Sequence, residues 1–208
     1  MIREELKDYI ESNIFNEYSK NEEAHGIEHI KYVINRCIEL SKYKDIDINM
    51  LYTIAAYHDI GHHIDAKNHE IVSAKIMYED DHLKEFFNEE ELKTIKEAIE
   101  DHRASSKREP RSIYGKLISS ADRGTDIKET LERCYFYRKE HSPEMNNEEI
   151  IEGSYEHLKN KYGEDGYAKF FLKDEKYENY LKELRELLKN KEEFIKRQEK
   201  IIKEIEQR

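Results

Sequence analysis

Apolar residues recur every three or four positions over long stretches of this chain, and only 7 Gly and 2 Pro interrupt its 208 residues. A period near 3.6 gathers such residues on one face of a helix, whereas strands need alternation, so the pattern predicts an all-α fold. Ile2, Leu6, Tyr9, Ile10, Ile14 and Phe15 mark a first amphipathic helix. Ile30, Val33, Ile34, Cys37 and Ile38 form the stripe of a second, from Ile27 to Tyr43. Met50 to Ile60 is apolar on nearly every face until Gly61, as expected of a central helix covered all round. Further helices are expected over His69–Tyr78, Glu89–His102, Leu117–Tyr137 and Glu148–Lys161, with a polar loop at Arg103–Arg111. From Lys173 onward, Tyr177, Leu181, Leu184, Leu188, Ile195, Ile202 and Ile205 approximate a heptad that Lys191 and Gln198 interrupt. This reads as a long C-terminal helix over residues 173–208, packed on its own domain or forming a homodimer with a second subunit. The preceding residues 1–172 are expected to be one helical body.

Charged residues make up 40% of the chain and hydrophobic ones 37%, but 15 Tyr and 7 Phe supply bulk for a core, which argues against wholesale disorder. A formal net charge of −11 opposes any general electrostatic grip on nucleic acid or an anionic membrane. It leaves room for a local basic pocket holding a small phosphorylated substrate. Cys37 and Cys134 belong to no CxxC pair, the chain starts without a signal-like segment, and no apolar run reaches membrane-spanning length. A cytoplasmic protein with free thiols is the expectation.

His58 and Asp59 end the most apolar helix of the sequence. Burying two ionisable side chains there is costly unless they are paired or bound to a metal. The bland alternative is an Asp capping a turn beside a satisfied core His. Asp122 follows Leu117 to Ala121 on what should be a buried stripe, and its alternative is a salt bridge to Arg123 or Arg103. His25 and His29 stand four apart, but Gly26 suggests that His25 precedes the helix. His29 is therefore the expected ligand, and His25 a pocket-wall or surface residue. Imidazoles with carboxylates suit Mn, Fe, Co, Ni or Zn, whereas Ca and Mg usually take oxygen donors alone.

His29 in HGIEHIKYV, His58-Asp59 in AAYHDIGHH and Asp122 in ISSADRG together resemble the metal motif of the HD-domain phosphohydrolase superfamily, over about residues 24–126. The resemblance implies an all-helical bundle in which His29, His58, Asp59 and Asp122 hold one divalent metal ion. His69 in NHEIVSA and His102 in AIEDHR resemble the two extra histidines by which some members hold a second ion, with Asp59 bridging the pair. Alternatives are a helix-face position for His69 and, for His102, a cation at a helix C-terminus.

HDIGH, with His62, is similar to the version in dNTP triphosphohydrolases, where a following His contacts phosphate, although their long sequence and other nucleotide-binding elements are missing. The lysine of HDIGK and the GYP extension are also missing, which argues against cyclic-dinucleotide hydrolysis. What the resemblance implies is a phosphohydrolase of a small ester or anhydride, plausibly a nucleotide. With one ion, His62 or Asp126 would orient the attacking water. Arg103 and Arg123, beside proposed ligands, and Lys107, Arg108 and Arg111, in the following loop, would clamp phosphate unless they are simply solvated. Two rivals stand beside this reading: a di-iron oxygenase like the inositol oxygenase branch, and a non-catalytic binding or regulatory module with a structural metal.

Overall fold

The computed structural model describes residues 1–42 and 44–207; the expected helix end at Tyr43 and the terminal Arg208 lie outside them. The described residues contain no strand. They form α1 (Glu4–Tyr9), α2 (Ile27–Ser41), α3 (Ile48–Tyr57), α4 (His69–Tyr78), α5 (Glu89–Glu100), α6 (Ile113–Ala121), α7 (Ile127–His141), α8 (Asn147–Tyr162), α9 (Glu175–Lys189) and α10 (Lys191–Glu206). None of these helices is long and apolar enough to cross a membrane. The chain divides into two compact units. One comprises Met1–Arg123 with Lys169–Leu172, the other residues 124–168 with the chain from 173 onward. Residues 124–168, expected in the first body, cluster here with the chain from 173 onward.

In the first unit α3 is the central helix. The Asp47 carboxylate accepts the backbone N–H groups of Asn49 and Met50 at its N-terminus, and every residue from Asn49 to Tyr57 is buried. Helices α2, α5 and α6 pack on it, and α4 lies against α5. α2 turns Ile30, Val33, Ile34, Cys37 and Leu40 inward, and α5 turns Leu92, Ile95, Ala98 and Ile99 inward. The first amphipathic segment is α-helical only to Tyr9 and continues as a π turn over Ile10–Ile14 and a 3-10 turn over Phe15–Lys20.

Gly61 lies where the turn after α3 meets α4. A Cβ there would sit 2.7 Å from Val72 Cγ1 and 2.9 Å from the Ser73 backbone nitrogen. Its own N–H donates to Ser73 Oγ at 2.9 Å. Glycine is therefore required by close approach of the two segments.

The helix expected over Leu117–Tyr137 is two helices. α6 starts earlier, capped by Ser112, and ends before Asp122; α7 starts after Asp126, whose carboxylate accepts the Glu129 N–H. Gly124 and an Asp suited to N-capping break what apolar spacing alone joins. The tail is likewise two helices rather than one long one. Asn190 adopts φ −115° and ψ 89°, outside the helical region, and caps α10 with its side chain. In the second unit α9 and α10 pack on α7 and α8. Leu184, Leu188, Phe194 and Ile202 of the tail are buried there, and buried Gln198, expected to interrupt the stripe, donates to the Leu131 carbonyl at 3.0 Å.

Candidate metal centre

Each residue of the centre sits near an end of a helix of the first unit. His29 lies in the first turn of α2, behind Gly26, which occupies the N-cap. His58 and Asp59 follow α3, His69 opens α4, His102 lies two residues past α5, and Asp122 ends α6. Helix ends suit this purpose because a side chain there can turn into the bundle without leaving a gap in the apolar stripe.

Asp59 is the shared member. Its Oδ2 lies 3.6 Å from His29 Nε2 and 3.5 Å from His58 Nε2. Its Oδ1 lies 3.3 Å from His69 Nε2 and 3.4 Å from His102 Nε2. Asp122 Oδ1 joins the first half, 3.2 Å from His29 Nε2 and 3.9 Å from His58 Nε2. Two donors bound about 2.1 Å from one ion, at angles between octahedral and tetrahedral, stand roughly 3.0–3.4 Å apart; the donors here stand 3.2–3.9 Å apart, so three of the six distances must shorten for an ion to be held. The carboxylate thus separates two groups of donors, His29 with His58 and His69 with His102.

Tautomers decide whether those nitrogens can act as ligands. The Nδ1 atoms of His58, His69 and His102 lie 2.8, 3.0 and 2.6 Å from the carbonyls of Ala55, Ala66 and Ile99. A carbonyl only accepts, so each Nδ1 carries its proton, and in the neutral ring each Nε2 presents a lone pair. Yet His69 Nε2 and His102 Nε2 stand 3.0 Å apart. Two lone pairs so placed repel, and a cation between them removes the repulsion. His29 Nε2, His58 Nε2 and Asp59 Oδ1 are also buried without a hydrogen-bond partner. The residues present fit a divalent transition-metal ion in each half, with donors that suit Mn, Fe, Co, Ni or Zn.

The electrostatics agree. Burial pushes the His58 imidazole down to about 4 against the pull of Asp59, so His58 is neutral near pH 7. Burial alone would raise the Asp59 carboxyl, but His58, His102 and His25 hold it well below the usual carboxylate range. Asp122 is likewise lowered despite its burial, by His29, His58 and Arg123.

Arg123 is 1% exposed. It donates to Asp122 Oδ2 at 3.2 Å, to Ser119 Oγ at 3.0 Å and to the His102 carbonyl at 3.3 Å, and so braces two ligand positions from behind. One Asp122 oxygen faces His29 and the other forms the salt bridge to Arg123. Arg103 donates to the Lys67 carbonyl and to Glu70 at 3.0 Å. Arg108 reaches Asp101 at 2.8 Å, and Arg111 bonds Asp101 and Glu100, so both tie the loop to the end of α5. Lys107 is exposed. Arg103, Arg108, Ser119, Arg123 and Lys169 line a small pocket together with Asp101 and Glu109. Asp126 belongs to the second unit, where it caps α7. His62 is buried in the first unit, its ring 5.1 Å from that of His69 and stacked 3.8 Å from that of His25.

The sequence reading missed Asn21 and Glu22. The Asn21 amide donates to the carbonyls of Asp59 and His25, tying the segment before α2 to the turn after α3. Glu22 lies 3.4 Å from His62 Nδ1. Both sit in a polar run, and nothing local separates Glu22 from the other acidic residues among the 47 Asp and Glu of the chain.

Residues 26–125 match the family model described as HD domain. A crystal structure described as a predicted HD superfamily hydrolase from an uncultured Thermotogales bacterium is similar at 20% identity, over 74% of this chain and 85% of that one, with a TM-score of 0.46. No curated protein matches.

Proposed function

We propose that the centre is that of a metal-dependent phosphohydrolase acting on a small phosphate ester or anhydride, with a nucleotide as the favoured substrate class; the match of residues 26–125 to the HD domain family supports this reading. One observation carries the reading: the two oxygens of Asp59 face opposite pairs of imidazole nitrogens, three of them with tautomers set by backbone carbonyls. A divalent pair held there would lower the pKa of a water toward neutrality and carry charge on phosphoryl oxygens. Asp59 and Asp122 offset the ions' charge, and the backbone-anchored imidazoles keep their lone pairs aimed inward. Arg123 fixes Asp122 and the end of α5, so the ligand positions need little rearrangement when an ion enters. His62, buried beside His69, supports a phosphate group next to the paired centre.

The test combines elemental analysis of the purified protein with a phosphate-release screen over nucleotides, sugar phosphates and cyclic nucleotides, with and without oxygen. Wild type is expected to carry transition metal and to release phosphate without consuming oxygen, and Asp59→Ala is expected to lose both properties. Full metal content and full turnover in Asp59→Ala would remove the shared-ligand role. Iron with oxygen consumption, and no phosphate release, would favour an oxygenase in its place.

A further inference from the structure

A second polar cluster stands beside the paired centre and shares none of its ligands. Glu22 lies between two 3-10 turns, His25 ends the second of them, and His62 lies in the turn after α3. Nδ1 of His62 is 3.4 Å and Nδ1 of His25 is 3.9 Å from one and the same oxygen, Glu22 Oε1. The two rings stack with centroids 3.8 Å apart and planes inclined by 17°. The Glu22 and His62 side chains are only 10% and 7% exposed, and that of His25 20%.

We propose that Glu22, His25 and His62 form a third divalent-cation position. Three donors from separate segments come within 4.8 Å of one another in a largely buried place. Both imidazoles turn Nδ1 toward one carboxylate oxygen, and a tilt of the stacked rings out of parallel lets a cation beside that oxygen engage all three. Two His and one Glu are also a donor set that holds zinc in open catalytic sites, with at least one position left for water or a substrate oxygen. The paired centre is close on both sides: the His62 ring is 5.1 Å from that of His69, and the His25 ring 6.0 Å from that of His29. If the paired centre hydrolyses a phosphate compound, the third ion neutralises a neighbouring phosphate group and favours substrates carrying more than one. That consequence rests on the phosphohydrolase reading, whereas the cation position itself does not.

The experiment counts metal. Full-length protein is stripped with chelator, loaded with zinc alone, desalted and analysed for zinc per chain, for wild type, Glu22→Gln, His25→Gln and Asp59→Ala. Glu22→Gln and His25→Gln should each bind one ion fewer than wild type, with unchanged circular dichroism. Equal counts in wild type and both variants would overturn the third position. Asp59→Ala should lose the ions of the pair and keep the third, so failure of the pair and failure of the third position give different counts. Should neither variant fold, anomalous diffraction from zinc-loaded wild-type crystals decides: a peak between Glu22, His25 and His62 supports the position, and none there rejects it.

Discussion

Asp59 is the residue on which the centre turns, because each of its oxygens serves a different pair of histidines. The two histidines of the centre with shifted titration give opposite pH effects. Burial first, against Asp59, brings His58 down to about 4, below the ~6.5 of an unfolded chain. Between roughly pH 6.5 and 4 the unfolded state therefore takes up a proton that the native state refuses, so metal-free protein loses stability as pH falls through that window. Thermal melts in chelator across those pH values should show the slope, and His58→Asn should flatten it. For His102 burial works downward, but the adjacent Asp59 carboxylate wins and the imidazole is raised. Its proton must leave before an ion can bind. Acidification should accordingly empty the His69 and His102 half first, seen as a stepwise fall in metal per chain whose first step is absent in His102→Asn. Arg123→Lys keeps the charge but loses the fork that spans Asp122, Ser119 and the His102 carbonyl. Metal affinity should drop by about 10-fold or more, measured by competition with a chelating dye.

Among the elements, the junction of α3 and α4 sets the distance between the halves of the centre. Gly61→Ala puts a methyl 2.7 Å from Val72 Cγ1 and 2.9 Å from a backbone nitrogen, and backbone yields poorly. We expect a destabilisation of about 1–3 kcal/mol in denaturant titration, and loss of the ion held by His69 before that held by His29. The break between α6 and α7 matters in the same way. Had the helix run on through Tyr137, Asp122 would lie in mid-helix; ending at Ala121 instead places it at a terminus, where its Oδ1 faces His29. Asn190 makes the corresponding break in the tail.

On the scale of the whole molecule, the six candidate ligands of the paired centre all belong to the first unit, while α7 to α10 build a separate core in the second. An ion that binds only the folded protein stabilises it by about 2.7 kcal/mol at a hundred times its Kd. For a chain of 208 residues that corresponds to a rise in Tm of roughly 5–10 °C. Hydrogen exchange should place the protection in α2 to α6; equal protection of α8 to α10 would show that the ion acts elsewhere.

The sequence determined the all-helical fold and singled out the candidate ligands, because both rest on local properties. Periodic apolar spacing marks a buried face, and an ionisable pair closing the apolar run of α3 stands out without any knowledge of its neighbours. Helix breaks at Gly124 and Asn190 were less legible, since single capping residues compete with a strong periodic signal. Only the tertiary structure decided that Arg108 and Arg111 are spent on Asp101, that Arg123 braces ligands from behind, and that Glu22 meets His25 and His62. Those outcomes depend on which side chains come within a few ångströms after the helices pack. The spacing of residues along the chain carries no record of that.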